Sequence, residues 1–407
     1  MAGQEIKTEE TSLSLWEYVP MGEYQIPEAS MGHAIRGGIV GLWQRFRPAP
    51  ERAADLLRSE EALQALPKTT LDRIAPEPSW RSAAMALKAK LIPWINEEQK
   101  EKRGVCVIAP PNGNNTNVLI QLADDLGCPV ISPPTEDEIL GQDRGWLNQW
   151  TGREEFWILP ELERCYLRHA RGLDLVRSFF DKLESGLLGR GIIGCDSWAW
   201  AYLKYVTYGA LPNAYVAQAF DHERLALWFQ ELSTSAKNKR IQFRQSDDET
   251  YVLPPKADSV NPSDPTVEIG RFLQHLAAHS LGISGVAWFL WRSALRTLPD
   301  EAVIREGGRE TPVDLKTTVW VLPWDQLNQP TLPVPMKTED ALVLHNLLLH
   351  SGLSSIALLE VVPLSSGSAL QTLSALEEMG FIEQKKGIWR VSAQGYPAVR
   401  RALHGEG

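Results

Sequence analysis

The run Gly104–Ala109, GVCVIA, constrains this chain more than any other feature. A stretch of apolar residues without polar alternation suits a strand buried on both faces, the kind found in parallel sheets. It runs into Pro110–Asn117, PPNGNNTN. There Pro presets φ, while Gly and Asn tolerate the left-handed conformations of a tight turn. A helical period begins around Asn117, so the order is strand, tight turn, helix. Parallel neighbours need such a crossover, and the same alternation continues to about Gln245. Strands are expected at Val105–Ala109, Pro129–Ile131, Phe156–Leu159, Gly191–Gly194 and Arg240–Arg244. Helices are expected at Asn117–Leu126, Leu173–Ser185, Ala199–Tyr205 and His222–Ser233. The expected fold class is α/β, a parallel sheet covered by crossover helices.

At 407 residues the chain is long enough for two or three cores. A net charge of −10 argues against a chain-wide nucleic-acid footprint and leaves only local basic patches. Fifteen tryptophans exceed the usual share, and Trp157, Trp198, Trp200, Trp228, Trp288 and Trp291 recur where strands and helices should pack, which favours a core role. The four cysteines, Cys106, Cys128, Cys165 and Cys195, form no C-x-x-C pair. Reduced, buried thiols of a cytoplasmic protein are therefore expected. No apolar run approaches the roughly 18 residues that span a bilayer, and the first residues lack the apolar core of a signal peptide.

Composition shifts divide the chain. Residues 1–80 carry Glu, Pro and scattered aromatics, with a helical period near Ala53–Leu66, and read as a partly ordered extension. Residues 81–245 form the α/β core, opened by an amphipathic helix over Ser82–Trp94. Residues 246–300 hold two helices broken at Gly282 and Gly285, and residues 301–337 form a Pro-rich linker with one short strand, TTVWVL. Residues 338–407 give helix (Glu339–His350), helix (Ser354–Val361), helix (Ser366–Met379), a strand pair and a last helix (Pro397–His404). That succession predicts a winged helix-turn-helix.

The loop carries the chemistry to be weighed. A phosphate-cradling loop reads G-x-x-x-x-G-K-[ST], in which glycines let main-chain N–H groups wrap the phosphates, lysine neutralises them and the hydroxyl holds magnesium. Laid on that pattern, Ala109 and Asn112 take early glycine places with Gly113 between Asn112 and Asn114, Asn114 takes the last glycine, Asn115 takes the lysine, and Thr116 survives before Asn117. The order of parts resembles the AAA+ branch of the P-loop ATPases, in the origin-recognition-type arrangement where an ATPase core and a small helical lid precede a winged helix. The resemblance covers Trp80–Gly407 and implies a Walker B strand ending in Asp-Glu. FWILPELER puts Pro160 at the Asp and keeps Glu161. At the sensor-1 position GIIGCDSW offers Asp196 and Ser197, and the lid brings its first arginine in only as Arg292. The departures fall together, so the resemblance implies either no cofactor or weakly bound ATP or ADP with magnesium, and either no catalytic residue or an atypical ATP hydrolase.

Further candidates lie outside the loop. Arg164, Arg168 and Arg171, in RCYLRHAR, follow the Walker B position, a region that faces a neighbouring subunit or substrate in the resembled family; an interaction surface is expected there. In the C-terminal unit, Ser366, Ser368, Gln371, Lys385 and Lys386 are the nucleic-acid candidates, yet five cations stand against seven anions in that unit. His275 and His279 have i, i+4 spacing without the Glu of a zinc H-E-x-x-H, so no metal is assigned. The leading expectation is a catalytically degenerate AAA+-like adaptor or regulatory scaffold acting on a protein partner. The alternatives are a DNA-binding regulator using the winged helix and an ATPase completed in a homo-oligomer.

Overall fold

The structure is a computed structural model. It describes residues 15–25, 63–96, 104–150, 156–207, 211–234, 241–255, 270–297, 318–333 and 335–405. The expected helix over 53–66 lies mostly outside these residues, as does most of the expected linker.

Gly104–Ala109 is buried at every position and forms the middle of a five-stranded sheet. The order across the sheet is Tyr18–Pro20, Asn213–Ala217, Gly104–Ala109, Gly191–Asp196, Trp157–Leu159. All pairings are parallel except that of Tyr18–Pro20. The expected strand Pro129–Ile131 is reduced to a bridge between Val130 and Ile158. Two further expectations are corrected. The strand beside Gly104–Ala109 on its outer side is Asn213–Ala217, whose weak apolar alternation hid it. The expected strand Arg240–Arg244 is Gln242–Gln245 and belongs to a second sheet of order Gln64–Ala65, Leu295–Thr297, Thr318–Val321, Gln242–Gln245. Only Phe243 of that strand is buried, which suits a sheet edge rather than a doubly covered centre.

Helices Arg81–Ile95 and Asn115–Leu126 pack on each other. Asn115–Leu126 and Ser197–Val206 both lie against the sheet. Of the six tryptophans named, Trp157, Trp200, Trp228 and Trp291 are buried, and Trp198 and Trp288 are half-buried against the core. Trp146, Trp150 and Trp157 form a chain of edge-to-face contacts at 5.0 and 5.4 Å, the geometry that aromatic quadrupoles prefer. The helices Phe272–Ser280 and Ser284–Ala294 follow, broken at Leu281–Ile283. Among the described residues no single helix is long and apolar enough to cross a membrane.

The C-terminal unit contains helices Thr338–Leu349, Ser355–Val361, Ser366–Glu378 and Tyr396–His404. They enclose a three-stranded antiparallel sheet of order Leu353–Ser354, Ile388–Val391, Ile382–Lys385. The unit is seated on the core. Tyr166 Oη donates to Leu349 O at 2.8 Å, Trp198 Nε1 to Tyr396 Oη at 3.3 Å, and Ser354 Oγ to Glu136 Oε2 at 2.8 Å.

Candidate functional site

The loop after Gly104–Ala109 turns through two left-handed asparagines, Asn112 at φ 64° and Asn114 at φ 58°. Asn is the non-glycine residue best suited to that region, because its short amide bonds locally. Gly113 N donates to Pro110 O at 2.9 Å, and Asn114 Nδ2 to Asn112 O at 3.1 Å. The helix begins at Asn115, two residues before its expected start, and Asn117 is exposed on its first turn.

Asn115, standing where the motif has lysine, turns its side chain back under the strand. Its Nδ2 donates to Val107 O at 2.8 Å. Thr116 Oγ1 donates to Glu161 Oε1 at 3.3 Å, and Glu161 Oε2 meets Arg164 at 3.4 Å. The structure thus brings the Thr116 hydroxyl and the Glu161 carboxylate together. Among the described residues the loop's hydrogen bonds run to main chain and to Glu161, and none runs to a cation.

Ser284–Ala294 starts against the loop. A Cβ added at Gly285 would lie 2.0 Å from Asn112 O and 2.7 Å from Asn114 Nδ2, so only glycine lets the helix approach this closely. A cleft runs between the loop, the Gly282–Ser284 turn and the aromatics Trp16, Tyr18 and Tyr24; it leaves a cavity of about 40 Å³. That holds a few waters at most, against several hundred Å³ for a small-molecule pocket.

Asp196 ends Gly191–Asp196 and caps the helix that follows, accepting from Trp198 N at 2.8 Å, with Ser197 as that helix's first residue. Its own N–H donates to Glu163 Oε2 at 3.1 Å. Glu163 is buried, and burial, with the charge of Glu161 adding to it, pushes its pKa up to about 8. Burial and then Glu163 hold the Asp196 carboxyl well above the usual carboxylate range. The sequence reading missed Glu163. The E-x-E spacing after Pro160 was its signal, and the short 3-10 turn Leu162–Arg164 is what directs the second glutamate inward.

The other candidates lie elsewhere. Arg168 and Arg171 are exposed, but their segment contacts the protein's own C-terminal unit: Arg168 N donates to His350 Nε2 at 3.4 Å, and the Tyr166 and His350 rings are 4.9 Å apart. Burial lowers the His350 pKa to about 4. Arg292 is neither free nor at the loop; it pairs with Asp72 at 2.6 Å and bonds Ala75 O, with its guanidinium 4.8 Å from the Trp288 ring. His275 and His279 pack their rings on Trp324. In the C-terminal unit Ser366 and Gln371 are exposed, and Ser368 N is taken by the capping Ser365 hydroxyl at 3.2 Å. Lys385 pairs with Glu383 at 2.7 Å, and Lys386, at φ 52°, turns the hairpin with Gly387.

No protein-family model matches this chain, and no curated protein matches it. Among solved structures it is similar to a Walker-type ATPase of Pyrococcus abyssi, at 11% identity and a TM-score of 0.32, over 78% of this chain and 95% of that one. A likeness of that depth carries no conclusion about chemistry; the mixed α/β scaffold with its parallel sheet stands on the strand order above.

Proposed function

We propose that this chain is a P-loop-type scaffold without hydrolytic chemistry, a pseudo-ATPase adaptor or regulator that acts through protein contacts. The observation that carries the reading is Asn115 Nδ2 bonded to Val107 O at 2.8 Å, because the lysine position is used to fasten loop to strand. Phosphoryl transfer rests on positioning and on charge stabilisation of the transferring group. The loop residues do not fit a magnesium nucleotide. The cation is lost, the Thr116 hydroxyl is directed to Glu161, Glu161 faces Arg164, and the Gly285 main chain stands over the turn.

We read the C-terminal unit as a winged helix whose outer helix serves protein rather than DNA. Ser366–Glu378 has no basic residue and ends in Glu377 and Glu378, while Leu370 on it is 48% exposed and Ile356 on Ser355–Val361 is 75% exposed. Phosphate contacts by Lys and Arg supply most affinity for DNA, and this face has none to offer.

Titration calorimetry of the full chain with ATP and with ADP, in magnesium, tests the reading. It should give no saturable heat, and no phosphate release on prolonged incubation. Magnesium-dependent binding that Thr116→Ala weakens would overturn it.

A further inference from the structure

The main sheet has one antiparallel pairing. Tyr18–Pro20 lies beside Asn213–Ala217 in the register Tyr18↔Ala217, Val19↔Val216, Pro20↔Tyr215. Main-chain pairing of this kind accepts any extended segment, so selection falls to the side chains on either side of the strand. Trp16 is buried with its ring centroid 4.8 Å from Phe220, 5.9 Å from Trp80 and 6.1 Å from Trp228. Glu17 pairs with Arg224 at 2.6 Å, where the arginine side chain is only 12% exposed and the glutamate 50% exposed. The Glu17 carbonyl also accepts from Gln218 N at 2.8 Å. Further along, the Gln218 side chain holds the Gln25 main chain from both directions, Oε1 accepting from Gln25 N at 3.4 Å and Nε2 donating to Gln25 O.

We propose that this edge of the sheet is a peptide-binding groove, selective for an extended segment with an aromatic followed by an acid, which the chain fills in cis with its own residues 15–25. Part of the groove's lining is held by bonds that do not involve the occupant. Asn213–Ala217 keeps its parallel pairing to Gly104–Ala109, Phe220 N donates to Gly282 O at 2.9 Å, and Arg224 N is taken by Asp221 Oδ1 at 2.8 Å. The occupant adds three residues of strand at an outer edge, so its departure leaves the central pairings untouched. Each recognition element reads a separate feature. The cage of Trp80, Phe220 and Trp228 takes the tryptophan, the largely enclosed Arg224 takes the acid one residue on, and the Gln218 amide takes main chain irrespective of sequence. A segment of the same pattern from another protein fits the same three features.

A tethered occupant has an effective concentration in the millimolar range, so a free peptide competes only when the cis segment is weakened. The probe is a fluorescein-labelled synthetic peptide of residues 15–25, LWEYVPMGEYQ, added to the full chain and read by anisotropy. Trp16→Ala should take up the peptide at least tenfold more tightly than the unmodified chain. Arg224→Ala added to Trp16→Ala should cost at least tenfold, and a peptide with Lys in place of its Glu should not bind. No saturable uptake by a folded Trp16→Ala chain overturns the proposal, and so does uptake indifferent to Arg224 or to peptide sequence. If circular dichroism shows Trp16→Ala unfolded, Glu17→Arg replaces it with the same readouts. None of these outcomes depends on whether the loop binds nucleotide, so this groove and the proposed function fail separately.

Discussion

At the scale of single residues, two positions decide how the loop region behaves. Gly285 is helical, where alanine ordinarily gains about 1 kcal/mol. Here the added methyl would meet Asn112 O at 2.0 Å, and forcing a contact of that kind into packed structure costs about 1–3 kcal/mol. Gly285→Ala should therefore lower the urea midpoint, and an unchanged or raised midpoint would mean that the helix is not seated on the loop. The second position is Glu163. Its pKa rises from 4.5 to about 8 on folding, so between those values the folded chain holds a proton that the unfolded chain has lost. Stability is then fully present below the lower value and falls as pH rises through the upper one. Asp196 shifts in the same direction. Glu163→Gln keeps an oxygen for Asp196 N and removes the titration, so its melting temperature should match the parent's near pH 5 and exceed it near pH 9. Parallel curves across that range would place the titration elsewhere.

The elements show what could be read from the chain and what could not. Gly104–Ala109 and Gly191–Asp196 announced themselves because strands covered on both faces need uninterrupted apolar runs, and helices such as Asp174–Glu184 because a 3.6-residue period survives any partner. Asn213–Ala217 did not, since it buries only Val216 and is held by the sheet rather than by its own composition. Tyr18–Pro20 was hidden for the same reason, being an edge strand placed by the pockets around Trp16 and Glu17. At the loop, the residue identities were legible, including an asparagine where the phosphate-loop pattern has lysine, but the bond from Asn115 to Val107 and the closeness of Gly285 come from tertiary approach and have no local signature. The outer helix Ser366–Glu378 yields a prediction of its own. With Lys385 engaged by Glu383 and Glu377 and Glu378 exposed, the full chain should show no salt-sensitive retention on duplex DNA. Glu377→Lys with Glu378→Lys should introduce retention that falls steeply as salt rises. Retention by the unmodified chain, abolished by Lys385→Glu with Lys386→Glu, would restore the DNA-binding alternative.

For the molecule as a whole, the question is whether the C-terminal unit moves as part of the core. Interfaces between units of one chain resemble transient protein contacts unless they are large and well anchored. Here the anchors are specific and spread over three places. Tyr166, stacked on Tyr202 at 5.6 Å, donates to Leu349 O; Trp198 packs against the rings of His345 and His404 and bonds Tyr396; and Glu136 receives Ser354. The segment that carries Arg164 and Arg168 is anchored at this same interface through Tyr166 and the Arg168 main chain, while the arginine side chains stay exposed. Such coupling makes a single unfolding transition the expected behaviour of the parent chain. Tyr166→Phe removes one hydrogen bond, worth about 1 kcal/mol, and Trp198→Ala removes a half-enclosed aromatic, worth about 2 kcal/mol, below the roughly 3–5 kcal/mol of fully buried aromatic truncations because part of it stays exposed. Because both side chains bond across to the C-terminal unit, the double variant should unfold in two steps, with hydrogen exchange rising first at Thr338–Leu349 and at the residues around Tyr166. A lowered but still single transition would mean that the two units share more than these anchors and unfold as one body.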